Sequence, residues 1–185
     1  SVDSATLMNK LFELIEASKI FNLPINKFDI VIHPKSYVHA LVNFKNGLSK
    51  ILIHDTQMEI PIFNSIFYRT LETYKKNKDI NFENLNGENF IKPSVSNFPL
   101  LKLIKEYKRN DSYFEVILVI VNDYFVKKFL NGNINFQKMQ IKLLKKLKDP
   151  YLSKYYNKYP KEINDIYMIV NKVKKYLNEN EEFFK

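Results

Sequence analysis

The stretch "SYFEVILVIVNDYFVKKFLNG" at residues 112–132 is the longest apolar run of the chain, and it ends on a glycine. Its apolar residues recur with a helical period, and glycine directly after such a run is an expected helix terminator. The uninterrupted apolar part, "VILVIV" at 116–121, is far too short to cross a bilayer. We therefore predict a helix in a soluble protein that has no membrane partner.

Three further helices are predicted around this one. The segment 98–109 ("FPLLKLIKEYKR") precedes it, and two segments follow, 135–149 before Pro150 and 161–179. Four helices of this length form a small bundle, so we assign residues 98–185 to an all-α C-terminal four-helix bundle.

The residues ahead of the bundle carry strand patterns. Short runs rich in Val, Ile, Tyr and Phe predict strands at 28–34, 37–44 and 50–55. The dipeptide Asn46-Gly47 supplies the positive backbone dihedrals of a tight hairpin turn, so the second and third strands should be antiparallel. A helix over 58–74, with Pro61 near its start, should cover the sheet together with the opening helix.

The predicted fold class is therefore α+β, a small mainly antiparallel sheet covered by helices and followed by the bundle. Residues 1–74 are assigned to this sheet and its helices. Residues 75–97 contain polar runs with no sustained period and form the linker, with one short strand at 80–82.

Composition restricts the possible partners. The net charge of +9 would suit nucleic acid, but only two of the 29 basic residues are arginine, the side chain best suited to phosphate and base contacts. We predict solvated helix faces for the lysine clusters and no nucleic-acid partner; these lysines are Lys75, Lys76, Lys78, Lys142, Lys145, Lys146 and Lys148. The absence of cysteine excludes disulfides and thiolate metal sites and fits a cytoplasmic location.

The opening stretch "SVDSATLMNKLFELIEA" at residues 1–17 carries polar groups at helical spacing. If the helix begins near Thr6, Ser4 lies just ahead of its first turn, where free amides favour an anion. Asn9 and Lys10 are four and three residues before Glu13, so the three side chains share one face. Two interpretations explain this spacing. Ser4 can be an ordinary helix cap beside a surface ion pair of Lys10 and Glu13, or these residues can form one wall of a site for phosphate and metal.

Two motifs here resemble the 1-deoxy-D-xylulose 5-phosphate reductoisomerase family. They are "DSATLMNKLFELIEA" at 3–17 and "VIHPKSYVHALVNFKNG" at 31–47, which match the family pattern D-S-A-T-M-M-N-K-G-L-E-x-I-E-A and its following H-P-x-S-x-x-H-x-x-V. Weaker similarity continues through "MEIPI" at 58–62, "FPLLKL" at 98–103 and Asn122-Asp123. The resemblance covers nearly the whole chain, which would be the C-terminal part of such an enzyme. It implies that residues 1–74 are the C-terminal half of the catalytic α/β domain.

The resemblance implies an enzyme that uses NADPH and Mg²⁺ or Mn²⁺ to convert 1-deoxy-D-xylulose 5-phosphate to 2-C-methyl-D-erythritol 4-phosphate in isoprenoid precursor synthesis. It assigns Ser4, Asn9 and Lys10 to substrate hydroxyls or phosphate, and Glu13 to the substrate and the metal. His33 matches a functionally important histidine, although a structural role at a strand end explains it equally. Met58 matches a methionine near the nicotinamide, although a core role is the simpler interpretation. His39 and His54 are interpreted as strand residues.

The resemblance also implies a homodimer, located in the cytoplasm or in a plastid-type organelle of a eukaryote. The other two metal carboxylates and the cofactor domain of the family precede this segment, so the 185 residues alone should be inactive. Two departures from the family pattern are Leu11-Phe12 in place of Gly-Leu and Thr56-Gln57 in place of Pro-Asp. Two other functions stay open: a non-catalytic paralogue that binds sugar phosphate or protein, and a basic helical module that binds nucleic acid.

Overall fold

The structure is a computed structural model that describes residues 1–69, 80, 82–87, 89–107 and 111–180. The chain forms two compact units. One, the helical unit, combines Ser1–Asp29 with Ser94–Lys185, and the other, the hairpin unit, is Ile30–Pro93. The opening helix is thus grouped with the C-terminal helices and not with the strands, and the assignment of 1–74 to a catalytic domain stays a prediction. No helix within the described ranges is both long and apolar enough to cross a membrane.

The helical unit is built around one buried helix. Its described elements are α1 (Val2–Ala5), α2 (Met8–Ile20), a 3-10 turn (Ile25–Lys27), a second 3-10 turn (Pro99–Leu101), α4 (Lys102–Glu106), α5 (Tyr113–Leu130), α6 (Phe136–Leu147), α7 (Pro150–Ser153) and α8 (Ile163–Glu179), while α3 (Glu59–Ile66) belongs to the hairpin unit. The predicted helix at 112–132 is confirmed as α5, which packs against both α6 and α8. Because α5 is covered on two sides, it carries apolar residues around most of its circumference. Its fully buried residues include Ile117, Leu118 and Val121.

Local capping explains where these helices begin. The Ser112 side chain accepts a hydrogen bond from Phe114 N at the start of α5, and the Asn135 side chain accepts one from Lys138 N at the start of α6. Pro150 occupies the first turn of α7, where its missing N–H costs little. The bundle helices predicted at 135–149 and 161–179 are confirmed. The one predicted at 98–109 is a 3-10 turn followed by the five residues of α4, which ends at Glu106, and residues 108–109 lie outside the described residues.

One lysine of the predicted solvated clusters is buried. The Lys146 side chain is only 2% exposed, its Nζ lies 2.9 Å from Asp149 Oδ2, and it sits 4.5 Å from the centre of the Tyr176 ring. Tyr176 donates its hydroxyl to the same carboxylate oxygen at 2.7 Å. The prediction of a solvated face is therefore wrong at Lys146, because Asp149 and Tyr176 replace its water. Lys145 and Lys148 are exposed, Lys142 is half-buried, and Lys75, Lys76 and Lys78 lie outside the described residues.

The hairpin unit contains an antiparallel ribbon of β1 (Val38–Asn43) and β2 (Ser49–Ile53). The predicted hairpin is confirmed. Phe44 N donates to Leu48 O at 2.8 Å, and Gly47 N donates to Phe44 O at 3.1 Å. Gly47 has a φ of 86°, whereas Asn46 does not adopt a positive φ. The turn is thus the three-residue hairpin type, with glycine alone in the left-handed conformation.

Two strand predictions are wrong. Residues 28–34 contain only a single bridge, in which Ile32 pairs with Ile91, so the sheet has two strands in the described part of the chain. Phe82 opens a 3-10 helix, Phe82–Leu85, where a strand was predicted over 80–82, and Asn81 lies outside the described residues. A short apolar run forms a strand only where a partner strand lies alongside it. The local sequence does not specify that partner. The predicted helix over 58–74 is α3 (Glu59–Ile66), and residues 70–74 are outside the described residues. The fold class is α+β.

Candidate functional site

The opening segment is two helices separated by a left-handed residue. Ser1 caps α1 by accepting a hydrogen bond from Ser4 N at 3.2 Å. Leu7 then adopts a φ of 59°, and α2 begins at Met8. The prediction that one helix starts near Thr6 is therefore wrong, because the left-handed residue interrupts it. Thr6 is buried, and its hydroxyl accepts a hydrogen bond from Met8 N at 3.3 Å.

Three of the predicted site residues meet on α2. Asn9 Nδ2 donates to Glu13 Oε1 at 3.0 Å, and Lys10 Nζ donates to Glu13 Oε2 at 2.7 Å. Lys10 and Glu13 side chains are each 47% exposed, so a ligand can reach them. The predicted shared face is confirmed, and the ligand roles of these residues stay predictions. In the absence of a ligand the same geometry is a surface ion pair of a few tenths of a kcal/mol.

The residues that depart from the family pattern, Leu11 and Phe12, pack against the apolar core of the helical unit. Leu11 is 1% exposed within the apolar core of the helical unit, and Phe12 is partly buried against that core.

Ser4 lies in α1, ahead of the left-handed turn. Its side chain is exposed, with its Oγ 2.9 Å from Ser1 Oγ. A long-range contact fixes the neighbouring residue, because Asn122 Nδ2 donates to Asp3 Oδ1 at 2.9 Å. The sequence offered one signal for this contact, since an asparagine in an otherwise apolar helix requires a polar partner. Which partner it takes, 119 residues away, was not predictable.

His33 is buried in the hairpin unit. Its Nδ1 accepts a hydrogen bond from Tyr37 N at 3.2 Å, and its carbonyl accepts one from Ser36 N at 2.9 Å. The Phe90 ring lies 5.7 Å from its ring. Because Nδ1 is the acceptor, the neutral ring carries its hydrogen on Nε2. These contacts describe a histidine that closes a turn, and its catalytic role stays a prediction.

The other residues of interest in the hairpin unit are exposed or half-exposed. Met58 precedes α3 and is 65% exposed, so the expectation of a core role is wrong, because α3 buries only Ile60. Its placement near nicotinamide stays a prediction. His39 lies in β1 and His54 directly follows β2, and their rings stack with centres 3.6 Å apart.

An open pocket of about 330 Å³ lies beside α5 and α8 in the helical unit. Burial raises the pKa of Asp123 at its edge, the charge of Asp3 raises that pKa further, and Lys174 lowers it. Three of its seven lining residues are charged; the lining residues are Ile120, Asp123, Tyr124, Lys127, Lys174, Leu177 and Asn178.

Glu13 is the residue of this chain that was predicted to bind a metal. No group of three His, Cys, Asp or Glu side chains within the described part of the chain could hold an ion. Glu13 offers two carboxylate oxygens of the kind that Mg²⁺ and Mn²⁺ prefer. The chemistry of this donor fits such a cation, but Glu13 can supply only part of its coordination.

Comparison with known proteins places these features in one family. The model of the "DXP reductoisomerase C-terminal domain" family matches residues 54–176. A 1-deoxy-D-xylulose 5-phosphate reductoisomerase from Pelagibacter ubique is 47% identical over 166 residues, which is 90% of this chain and 42% of that protein. The enzyme of the same name from Persephonella marina is 35% identical over 95% of this chain and 45% of its own length.

Solved structures share the fold. The reductoisomerase from Zymomonas mobilis in complex with NADPH superimposes with a TM-score of 0.81 at 28% identity, over 93% of this chain and 44% of that one. A DOX-P reductoisomerase in complex with NADPH, fosmidomycin and magnesium gives a TM-score of 0.84 at 27% identity, over 96% and 44%. The chain thus spans less than half the length of the relatives it matches. The chain belongs to the 1-deoxy-D-xylulose 5-phosphate reductoisomerase family.

Proposed function

We propose that this chain is part of an NADPH-dependent 1-deoxy-D-xylulose 5-phosphate reductoisomerase and supplies one wall of its substrate site. The observation that carries the proposal is the convergence of Asn9, Lys10 and Glu13, at 3.0 and 2.7 Å, on the exposed face of α2. The named activity of a relative 47% identical over 90% of this chain supports it.

The residues of this wall have separate tasks. The Lys10 ammonium and the Asn9 amide are donors for substrate phosphate or hydroxyl oxygens, and Ser4 adds a hydroxyl. Glu13 is an oxygen ligand for Mg²⁺ or Mn²⁺ and orients both Asn9 and Lys10 through its two hydrogen bonds. When bound, the cation polarises the substrate carbonyl and hydroxyl. Phosphate arriving at Lys10 competes with Glu13 for the same ammonium, which couples the two parts of the site.

Several finer properties belong to the same proposal. NADPH is the reductant, and exposed Met58 contributes an apolar contact to it. A solved relative contains NADPH and magnesium, which supports both cofactors. A homodimer in the cytoplasm, or in a plastid-type organelle of a eukaryote, also belongs to the proposal, as does inactivity of the 185 residues alone.

Glu13→Gln in the complete protein that carries this chain tests the proposal. The exchange keeps the shape of the side chain and removes one anionic ligand from a hard cation. We expect the Mn²⁺ concentration for half-maximal NADPH oxidation to rise at least about tenfold. Thermal stability should stay within about 0.5 kcal/mol, because the side chain is half exposed.

Glu16→Gln is the matched control, since Glu16 is an exposed glutamate on the same helix. It should leave metal dependence and rate unchanged. Normal metal affinity and rate in Glu13→Gln would remove Glu13 from the ligand set. No turnover of the phosphosugar by the folded, complete wild-type protein would overturn the function itself.

A further inference from the structure

Asn122 is a buried amide in the middle of α5. It is 1% exposed on α5, where its buried neighbours include Val121 and Phe125. Burying an amide is unfavourable unless a partner replaces water. Its Nδ2 donates to Asp3 Oδ1 at 2.9 Å, so the amide gains a charged acceptor from the opening segment.

The segment that receives this hydrogen bond has little stability of its own. Helix α1 is four residues long, and isolated helices of that length are unstable in water. Within the helical unit, Val2 packs against the apolar core and Asp3 bonds to Asn122. The Asp3 hydrogen bond is the polar link that fixes the rotation of α1 against α5.

The link continues from Asp3 to the start of α2. Thr6 Oγ1 donates to Asp3 O at 3.3 Å and accepts from Met8 N at 3.3 Å. Between them Leu7 holds a φ of 59°, a conformation that costs a non-glycine residue about 1 kcal/mol and persists only where neighbouring contacts impose it. Ser4 in α1 precedes this turn, and Asn9 and Lys10 in α2 follow it.

We propose that Asn122 is a positioning residue for the phosphate-binding segment, acting through Asp3 to hold α1 and the Leu7 turn. The inference rests on the proposed function and extends it to a residue on α5 that is separated by 119 positions from its partner. Asn122 touches no substrate in this scheme. It fixes the relative placement of Ser4 and the Asn9-Lys10 pair, and phosphate affinity depends on that placement.

A charge swap tests the inference in the complete protein. Asn122→Asp places a second carboxylate against Asp3 and replaces attraction by repulsion. The double variant Asp3→Asn/Asn122→Asp restores one amide-to-carboxylate hydrogen bond with the roles reversed. Leu152→Ala is the control for general destabilisation, because Leu152 is fully buried on α7 and its removal leaves a cavity.

We expect Asn122→Asp to raise KM for the phosphosugar and the inhibition constant of inorganic phosphate about tenfold, with kcat changed less than about threefold. The double variant should return both constants to within about threefold of wild type. Leu152→Ala should lower stability without moving either constant. Hydrogen–deuterium exchange in residues 1–12 should rise in Asn122→Asp and recover in the double variant.

Unchanged constants in Asn122→Asp, or no recovery in the double variant, would overturn the positioning role. If Asn122→Asp does not fold, Asn122→Ser is compared with wild type instead. The serine side chain is too short for its hydroxyl to reach Asp3, so this variant also removes the hydrogen bond. The same rise in both constants is then expected, and its absence overturns the inference. A folded wild-type protein without turnover defeats the proposed function instead, and exchange in residues 1–12 then decides whether Asn122 orders α1.

Discussion

Removing the Asp149 carboxylate should be among the most damaging substitutions in the helical unit. Asp149 accepts hydrogen bonds from Lys146 Nζ at 2.9 Å, from the Tyr176 hydroxyl at 2.7 Å and from Tyr151 N at 2.9 Å. Lys146 is almost completely buried, so Asp149→Ala leaves its ammonium without a counter-charge. That loss costs about 3–5 kcal/mol, and the lost cap of α7 adds about 1 kcal/mol.

Thermal unfolding of Asp149→Ala and wild type measures this cost. At about 2–4 °C per kcal/mol for a protein of this size, the melting temperature should fall by on the order of 10 °C. Lys146→Met is the matched variant, because it removes the buried charge itself and should cost under about 1.5 kcal/mol. Adding Lys146→Met to Asp149→Ala should recover at least about 2 kcal/mol.

The pH dependence provides a second measurement. Burial alone raises the pKa of Asp149, but the hydrogen bonds from Lys146, Tyr176 and Tyr151, with the Lys146 charge, lower that pKa overall from 3.8. A lowered pKa means that the carboxylate stabilises the fold at neutral pH and that this contribution disappears as the pH falls below 3.8. The stability difference between wild type and Asp149→Ala should therefore shrink in acid. A cost below about 1 kcal/mol at pH 7, or a double variant no more stable than Asp149→Ala, would refute the reasoning.

Two further variants test the hairpin unit. Gly47→Ala meets no atom within 4 Å but must hold a φ of 86°, so we expect about 1 kcal/mol of strain and faster hydrogen–deuterium exchange in β1 and β2. Gly47→Asn should be milder, and equal exchange in Gly47→Ala and wild type would contradict the turn assignment. Met58→Ala in the complete protein should raise KM for NADPH about threefold, by loss of an apolar contact. Met168 on α8 is 46% exposed, and Met168→Ala is the control that should leave the KM for NADPH unchanged. An unchanged KM in Met58→Ala would contradict the cofactor assignment.

The sequence alone predicted the features that depend on neighbouring residues. The apolar period of 112–132 is realised in α5, and Asn46-Gly47 joins β1 to β2. The shared face of Asn9, Lys10 and Glu13 follows from spacings of three and four along a helix, and the hydrogen bonds to Glu13 form there. Such features have their cause within about four residues of chain, which is why a single sequence suffices for them.

Tertiary structure decided the rest, because contacts between distant residues override local pattern. The lysine-rich pattern around Lys146 predicts a solvated side chain, but Asp149, which caps α7, and Tyr176 on α8 bury it. The strand pattern at 28–34 found only one bridging partner, Ile91. The helix expected to begin near Thr6 is instead broken at Leu7, beside a segment that Asp3 ties to α5. The sequence thus determined which residues of α2 share the face of the candidate site. The contact that fixes α1 beside it, between Asp3 and Asn122, joins residues 119 positions apart and was decided by tertiary structure.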